Sequence, residues 1–488
     1  MSAPKPGVAK ESLDVTRGVF FMMIYRVIFL SAMMLGCGPR SANPPADKSS
    51  LAELSASDVK VMFHPVDPTL DAVAAEIGRA RANIDIAMYS MDVSDESPVI
   101  KAFKDHAFQE KLKAGSMRVR LIFEGYGSDE DNEARSKALE NLGIDVRWFS
   151  GGRKVHHKFA VIDSDSNHAA LVTGSANWSL GSMRNYDEAW IFVHNRPAFA
   201  ALFQNEFNKL WTLSDEFGET RFPSPVAAVA GDSEGGLDAV FNTANYEIKN
   251  GRMLVIEPKV WSMTRAIVAA IDGAEKTLDI STTRIVLRPV YNAILRAAAR
   301  GVKVSILVNQ DQYAPLSMRR GKVLSPCENE FQESCSTNVD FPWFLDSLDY
   351  PGKENVTVRI KFFSLNTRVT LAKQMHSKYL VADGKRVLSG SFNWSTSSEY
   401  NHFENIVSLD GDVHGEALAR FMANHKHVVS QGRTEYQPFV RRVEDAIKNG
   451  EKTDCAFAPM ALSFGEIDYL LDSGRRAGNK PFKEACKQ

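Results

Sequence analysis

One pattern occurs twice in this chain, as HHKFAVIDSDSNHAALVTGSANWS at residues 156–179 and as HSKYLVADGKRVLSGSFNWS at residues 376–395. Both copies contain His-x-Lys, an Asp five positions after the Lys, and then Gly-Ser-x-Asn. The shared positions with polar side chains are His156, Lys158, Asp163, Ser175 and Asn177 in the first copy and His376, Lys378, Asp383, Ser391 and Asn393 in the second. The alternating apolar residues around each Lys predict a strand, on which His and Lys point to one face.

The likeness of the two halves extends upstream of these motifs. A helical pattern followed by an alternating strand occupies residues 70–90 and again residues 264–284, and a further strand pattern follows at 118–124 and at 303–309. Alternating helices and strands are typical of layered α/β folds. The sequence therefore predicts an internal duplication, with two tandem α/β repeats in one chain.

The spacing of the two copies sets the predicted boundaries. The distance between equivalent positions grows by about 35 residues before the second motif, which predicts an insertion in the second copy. The predicted segments are a first repeat at 59–215, a linker at 216–236, a second repeat at 237–430 with its insertion at about 310–355, and a C-terminal tail at 431–488 that matches neither copy.

An apolar segment near the N-terminus predicts export. Residues 18–38 read GVFFMMIYRVIFLSAMMLGCG, and the ending Met-Leu-Gly-Cys resembles a bacterial lipobox with Cys37 as the lipidated residue. We expect residues 1–36 to be a lipoprotein signal peptide and 37–58 a flexible tether, which would anchor the protein at the bacterial cell envelope, in the periplasm or at the outer membrane. An uncleaved anchor and simple secretion are the alternatives.

Composition and cysteine usage agree with an exported globular protein. The chain has 488 residues, of which 44% are hydrophobic and 24% charged, so wholesale disorder and a multi-span membrane protein are excluded. Its net charge of −2 argues mildly against a dedicated nucleic-acid binder. Lipidation of Cys37 leaves four cysteines, for which proximity favours Cys327–Cys335 and Cys455–Cys486 disulfides over free thiols. The chain has no CxxC motif, so a cysteine zinc site is not expected.

The repeated side chains suit the chemistry of a phosphodiester. Lysine supplies positive charge to the non-bridging oxygens, Ser and Asn supply hydrogen bonds, and imidazole attacks phosphorus or moves a proton near neutral pH. Glu188 and Glu404 follow the two motif histidines by 32 and 28 residues. A carboxylate at this recurring place is expected to hold the second nitrogen of each imidazole. Two lysines make a metal ion unnecessary, and we expect no metal and no cofactor.

These motifs resemble the paired HxKxxxxDxxxxxxGSxN motifs of the phospholipase D superfamily; the first copy has four extra residues before Gly-Ser. The resemblance covers roughly residues 59–430. It implies two α/β/α sandwiches whose motifs face one cleft at a pseudo-twofold interface, and a phosphohistidine intermediate. It makes His156 the nucleophile and His376 the general acid, although the near-symmetry of the copies allows these roles to be exchanged. The implied catalytic set is completed by Lys158, Asp163, Lys378 and Asp383. The residues that bind the substrate phosphate or orient the catalytic groups are Ser175, Asn177, Ser391, Asn393, Glu188 and Glu404.

The reaction class is better determined than the substrate. Our first hypothesis is hydrolysis of phospholipid head groups, because a lipid anchor keeps an enzyme at a membrane. The alternatives are an exported metal-independent endonuclease acting on nucleic acid, a phosphatidyl transferase like cardiolipin synthase, and a non-catalytic lipoprotein that binds phosphate-bearing ligands. Two half-sites in one chain remove the need for a dimer, so we expect a monomer.

Overall fold

The computed structural model describes residues 58–124, 130–149, 152–219, 221–222, 230–319, 323–335, 339–366, 372–451, 453–476 and 486–487. The predicted signal peptide, Cys37 and the tether up to residue 57 lie outside the described residues. In the part of the chain that is described, no helix has the length and apolar character needed to cross a membrane.

The first repeat alternates strands and helices as its sequence predicts. Its strands are Val59–His64 (β1), Asn83–Met88 (β2), Arg118–Phe123 (β3), Asp145–Trp148 (β4), Lys154–Val155 (β5), Lys158–Ile162 (β6), Ala170–Gly174 (β7), Glu188–His194 (β8) and Asp215–Glu216 (β9). Its helices are Thr69–Arg79 (α1), Pro98–Lys104 (α2), His106–Lys113 (α3), Glu130–Glu140 (α4), Leu180–Asn185 (α5) and Pro197–Thr212 (α6).

The second repeat follows the same order, with additions. Its strands are Leu237–Phe241 (β10), Tyr246–Lys249 (β11), Arg252–Val255 (β12), Thr277–Thr282 (β13), Lys303–Asn309 (β14), Val356–Ser364 (β15), Lys378–Ala382 (β16), Arg386–Gly390 (β17), His402–Phe403 (β18), Asn405–Asp410 (β19), Thr453–Asp454 (β20), Ala456–Leu462 (β21) and Cys486–Lys487 (β22). Its helices are Ser262–Asp272 (α7), Arg288–Ala299 (α8), Leu316–Arg319 (α9), Phe341–Ser347 (α10), Thr396–Tyr400 (α11), Gly415–Ser430 (α12), Tyr436–Lys448 (α13) and Phe464–Arg476 (α14).

The two repeats build sheets of the same topology. The first sheet has the order β1-β8-β7-β6-β2-β3-β4-β9, and the second has the order β10-β19-β17-β16-β13-β14-β15-β21. In each sheet three strands run parallel (β2, β3 and β4; β13, β14 and β15) and their neighbours are antiparallel. Every residue of β2 is buried, as expected for a strand covered on both faces. The predicted duplicated α/β fold is confirmed.

Helices pack on both faces of each sheet, and one apolar core joins the repeats. Helices α1 and α2 cover the outer face of the first sheet, and α7 and α8 cover that of the second. Between the sheets, Phe159 and Phe203 of the first repeat share a buried cluster with Tyr379 and Phe421 of the second. Because this cluster takes apolar side chains from both halves, burial of its surface stabilises their mutual position.

The insertion and the tail both attach to the second sheet. Residues 310–355 connect β14 to β15, and within them Cys327 and Cys335 form the predicted disulfide. Cys455 is also disulfide-bonded, and the side chain of its predicted partner Cys486 lies outside the described residues. Strand β21 pairs with β15, just as β9 pairs with β4 in the first repeat. Residues 431–488, which the sequence set apart, therefore supply the edge strand that completes the second sheet.

Candidate active site

The two motif histidines occupy equivalent positions just ahead of a central strand. Strand β6 begins at Lys158 and β16 begins at Lys378. Each His therefore lies two residues before the strand, whereas the sequence pattern predicted that it lies on the strand. Each lysine turns back toward its own histidine: Lys158 Nζ donates to the His156 carbonyl at 2.8 Å, and Lys378 Nζ donates to that of His376. In each motif the lysine side chain is therefore held by the backbone carbonyl of the histidine.

Backbone pairing between the repeats fixes where each histidine sits. Strand β18 pairs in parallel with β5, and His156 N donates to Phe403 O at 3.1 Å. In the same way His376 N donates to Asp187 O at 3.0 Å. Each histidine is thus attached to the segment of the other repeat that carries the recurring glutamate.

The carboxylate that orients each imidazole comes from the opposite repeat. His156 Nδ1 lies 2.9 Å from Glu404 Oε2, and His376 Nδ1 lies 2.6 Å from Glu188 Oε1. Both carboxylates are fully buried. With Nδ1–H donating to a carboxylate, the Nε2 lone pair of each neutral imidazole remains available for reaction. The predicted His–Glu partnership exists, and it crosses between the halves.

Burial and mutual charge set the protonation of this cluster. Burial lowers the pKa of His156 and His376, against the pull of their glutamates. Burial alone would raise the pKa of both glutamates. His376 and Lys378 nevertheless hold the pKa of Glu188 at about 2. His156 and His402 hold the pKa of Glu404 well below its usual range. These carboxylates therefore stay ionised and stabilise the imidazolium form of the histidines.

Burial also perturbs the two lysines. It lowers the pKa of Lys158 to about 7 and that of Lys378 to about 8, although both glutamates act in the opposite direction. Each ammonium group also acts on the other half of the site. The charge of Lys378 lowers the pKa of Lys158, and the charge of Lys158 lowers the pKa of His376. The two motifs thus share one electrostatic site, in which a phosphate group would compensate the lysine charge.

The serines and asparagines of the motifs border this cluster in two different arrangements. Ser175 Oγ donates to Glu188 Oε2 at 2.5 Å, whereas Ser391 Oγ lies 3.4 Å from Asn405 Oδ1 and not against Glu404. The side-chain oxygens of Asn177 and Asn393 are buried and have no hydrogen-bond partner among the described residues. Such unsatisfied amide groups are suited to a ligand that brings its own polar atoms.

The structure places Asp163 and Asp383, which the resemblance includes in the catalytic set, away from the two motif histidines. Both lie beyond the far end of β6 or β16, about 23 Å along the chain from the histidines at ~3.3 Å per strand residue. The Asp163 carboxylate accepts the backbone N–H groups of residues 81–83 at 2.7–3.1 Å, and that of Asp383 accepts those of residues 275–277 at 2.7–2.9 Å. Both carboxylates therefore hold the turn before the neighbouring strand.

Comparison with known proteins places this geometry in a family. The profile described as "Cardiolipin synthase, PLD-like domain" matches residues 73–211 and 267–427. The chain belongs to the phospholipase D superfamily. The sequence is 25% identical over 386 residues to phospholipase D Z of Dictyostelium discoideum, covering 71% of this chain and 81% of that protein. It is 30% identical over 142 residues to the mitochondrial cardiolipin hydrolase of Chlamydomonas reinhardtii, covering 28% of this chain and 55% of that protein.

A solved structure has the same fold as this phospholipase D-like chain. The phosphatidylserine synthase of Haemophilus influenzae Rd KW20 superposes with a TM-score of 0.51 at 12% identity, covering 75% of this chain and 86% of that one. At this identity the likeness extends to the fold.

Aromatic rings that the sequence did not place complete each phospholipase D-like half-site. The Tyr186 ring lies 5.5 Å from that of His376, and the His402 ring lies 5.4 Å from that of His156. Tyr89 also faces His156, at 4.8 Å between ring centres. Tyr186 and His402 each come two residues before the recurring glutamate, and this shared spacing is the sequence signal that could have found them.

A second missed pair positions the chain ahead of each histidine. Val155 N donates to Glu124 Oε2 at 2.5 Å, and Met375 N donates to Asn309 Oδ1 at 3.1 Å. Glu124 and Asn309 occupy the same place, directly after β3 and at the end of β14. Burial raises the pKa of Glu124 to about 7. In both half-sites a side chain at this place accepts from the backbone N–H of the residue before the histidine. The side chain is a carboxyl group in one half and a neutral amide in the other.

Proposed function

We propose that this protein is a phosphodiesterase of phospholipase D type that hydrolyses the head-group phosphodiester of phospholipids. The observation that carries the proposal is the crossed arrangement in which each motif histidine is held by a buried glutamate of the opposite repeat. This arrangement supplies two oriented imidazoles and two ammonium groups in one site. A nucleophile and a general acid are the groups that an in-line displacement at phosphorus requires.

The first step is transfer of the phosphatidyl group to the enzyme. His156 Nε2 attacks phosphorus while its Nδ1–H remains bonded to Glu404. The bond from phosphorus to the head-group oxygen breaks, and protonated His376 gives its Nε2 proton to the departing alcohol. Glu404 stabilises the positive charge that develops on the phosphorylated imidazole, as a carboxylate does for a catalytic histidine.

The second step returns the enzyme to its starting state. His376, now neutral, takes a proton from water, and the hydroxide formed attacks phosphorus. The phosphorus–nitrogen bond breaks, which releases phosphatidic acid and restores the His156 lone pair. Lys158 and Lys378 compensate the charge of the non-bridging oxygens in both steps, and the Asn177 and Asn393 amides offer further hydrogen bonds.

Two considerations support a phospholipid as the substrate. Relatives that match this chain include phospholipase D Z and mitochondrial cardiolipin hydrolases. We also infer that residues 1–36 direct export and that lipidated Cys37 holds a monomeric enzyme at the cell envelope, where a membrane surface supplies the substrate. Both inferences about the N-terminus rest on the sequence of residues 18–38.

The experiment is head-group release from mixed phospholipid vesicles by the purified full-length protein. His156→Ala and His376→Ala are expected to abolish release of choline or ethanolamine, and His168→Ala, which alters an exposed histidine in the hairpin between β6 and β7, is the matched control. Thermal melting of each variant separates a chemical defect from unfolding. Plasmid nicking without lipid turnover would replace the lipid substrate with nucleic acid, and phosphatidyl-alcohol product in added alcohol would reveal transferase activity.

A further inference from the structure

The two half-sites differ in how their glutamates are satisfied. In the His376 half, Glu188 accepts from both His376 and Ser175. In the His156 half, His156 Nδ1 lies 2.9 Å from Glu404 Oε2 and 2.8 Å from Glu404 Oε1, so a single N–H faces both carboxylate oxygens. Ser391, the counterpart of Ser175, directs its hydroxyl at Asn405 and not at Glu404.

A ring nitrogen without a hydrogen-bond partner among the described residues faces Glu404 Oε1. His402 Nδ1 is shielded from solvent, has no hydrogen-bond partner among the described residues, and lies 3.6 Å from Glu404 Oε1. A separation of 3.6 Å is too long for a hydrogen bond. The other ring nitrogen of His402 lies 3.4 Å from Ser397 Oγ. If this nitrogen carries the proton, the Nδ1 lone pair of His402 is directed toward the Glu404 carboxylate.

The separation of His402 Nδ1 and Glu404 Oε1 fits a shared metal ion better than it fits a hydrogen bond. Zinc bound by nitrogen and oxygen at 2.0–2.2 Å in a tetrahedron separates neighbouring ligand atoms by about 3.3–3.6 Å. The His402–Glu404 separation agrees with that value, and ligand atoms of His156, His402 and Glu404 all lie within 4.8 Å of one another. A neighbouring hydroxyl that accepts from the second nitrogen of a ligating histidine is a usual outer partner of a metal site.

We propose that His156, His402 and Glu404 form a binding site for a divalent transition-metal ion of the Zn²⁺ class, and that its occupation switches the enzyme off. Two imidazoles and one carboxylate favour such ions over Mg²⁺ or Ca²⁺, which prefer oxygen ligands. The site belongs to the His156 half alone, because Tyr186 stands in the other half where His402 stands here. The ammonium of Lys158 opposes a bound cation, so we expect binding to be reversible.

Inhibition follows from the lone pairs of His156. Attack on phosphorus needs the Nε2 lone pair, which exists when Nδ1 carries the proton and donates it to Glu404. A metal ion on Nδ1 takes the Nδ1 lone pair and leaves the proton on Nε2, so no nucleophile remains. A metal ion on Nε2 blocks the same lone pair directly. The inhibitory part of the proposal rests on the proposed function, whereas the binding part does not.

Metal binding is measured first, without any lipid. Full-length protein is titrated with Co²⁺ while its visible absorption is recorded, and Zn²⁺ affinity is obtained by competition with a chromophoric chelator. Wild type is expected to bind one ion that gives a tetrahedral Co²⁺ spectrum. His402→Tyr, which copies Tyr186 of the other half, should weaken binding by more than about 100-fold, and Ser397→Ala, which removes only the outer partner, by about 10- to 100-fold. His168→Tyr, at an exposed position, is the control and should bind as wild type does.

Head-group release is then measured with and without Zn²⁺. The expected result is loss of wild-type turnover in Zn²⁺, recovery on adding a chelator, and a Ser397→Ala enzyme that needs more Zn²⁺ for the same loss. The metal proposal is overturned if wild type shows no tetrahedral Co²⁺ spectrum, or if His402→Tyr and Ser397→Ala both bind Zn²⁺ as wild type does. Tight Zn²⁺ binding by a protein that turns over no phospholipid would overturn the proposed function and leave the site intact.

Discussion

Replacing Glu404 with Gln tests whether the crossed carboxylate is part of the catalytic machinery. The change keeps the size of the side chain and removes its negative charge. Because Glu404 is fully buried and lies 2.9 Å from His156 Nδ1, water cannot take its place. The phosphorylated imidazole would then carry its positive charge without the facing carboxylate.

The size of the effect can be worked from this contact. A hydrogen bond to a charged partner contributes about 1.5–3 kcal/mol. Since ~1.36 kcal/mol corresponds to tenfold in rate, Glu404→Gln should lower kcat by about 10- to 150-fold. Glu188→Gln should have an effect of the same order, because Glu188 holds His376 at 2.6 Å. A glutamine whose amide faces Nδ1 would also favour the proton on Nε2, which adds to the loss.

The assay is head-group release at saturating substrate, with a buried Glu–His pair outside the site as the control. Glu206 Oε1 lies 3.3 Å from His157 Nε2, and both side chains are buried. Glu206→Gln should lower the melting temperature and leave kcat of the folded enzyme near that of wild type. Wild-type kcat in Glu404→Gln, or an equal loss of kcat in Glu206→Gln, would show that the carboxylate facing His156 has no special part in catalysis.

Three further predictions concern pH and stability. The value of kcat/KM should fall as the pH rises through about 7 to 8. Burial brings the pKa of Lys158 to about 7 and that of Lys378 to about 8, and deprotonation removes the charge that binds phosphate. A kcat/KM profile that is flat across this pH range would contradict the prediction. Asp163→Ala should lower the free energy of unfolding by at least about 2 kcal/mol in a urea titration and leave kcat of the folded protein unchanged, since its carboxylate accepts backbone N–H groups far from the histidines. Asp85→Ala leaves the buried Arg120 guanidinium without its carboxylate, so a loss of about 3–5 kcal/mol is expected, and a urea midpoint like that of wild type would refute it.

The sequence predicted the parts of the site that local pattern encodes. The two His-x-Lys motifs, the duplication and the glutamates at a recurring distance are all visible as repeated residue types with fixed spacing. The Cys327–Cys335 disulfide followed from proximity in the chain. These features depend on short stretches of sequence, in which the order of residues determines which side chains meet.

What could not be predicted depends on how the two repeats dock. The sequence did not show that Glu404 serves His156 and that Glu188 serves His376, because this exchange is created by pairing between β5 and β18 and by the bond from His376 to Asp187. Nor could it show that β21 completes the second sheet, since that strand is separated from its partner by some ninety residues.

Asp163 illustrates a different limit of sequence patterns. Its place within a repeated motif suggested chemistry, and its carboxylate instead holds the backbone of residues 81–83. A recurring polar residue can recur because both copies need the same turn, and spacing alone does not distinguish this from catalysis. Its left-handed backbone, with φ of 49°, is matched by 56° at Asp383 and marks the same turn in both halves.

The covalent intermediate tests the central claim most directly. Phospholipid labelled at its phosphate is mixed with enzyme and quenched in alkali within one turnover, and the labelled peptide is identified. Wild type is expected to show phosphohistidine at His156, and His156→Ala is expected to show none. His376→Ala should form much less of it than wild type, because the first step lacks its acid. Head-group release that proceeds with no label on either histidine would contradict the account.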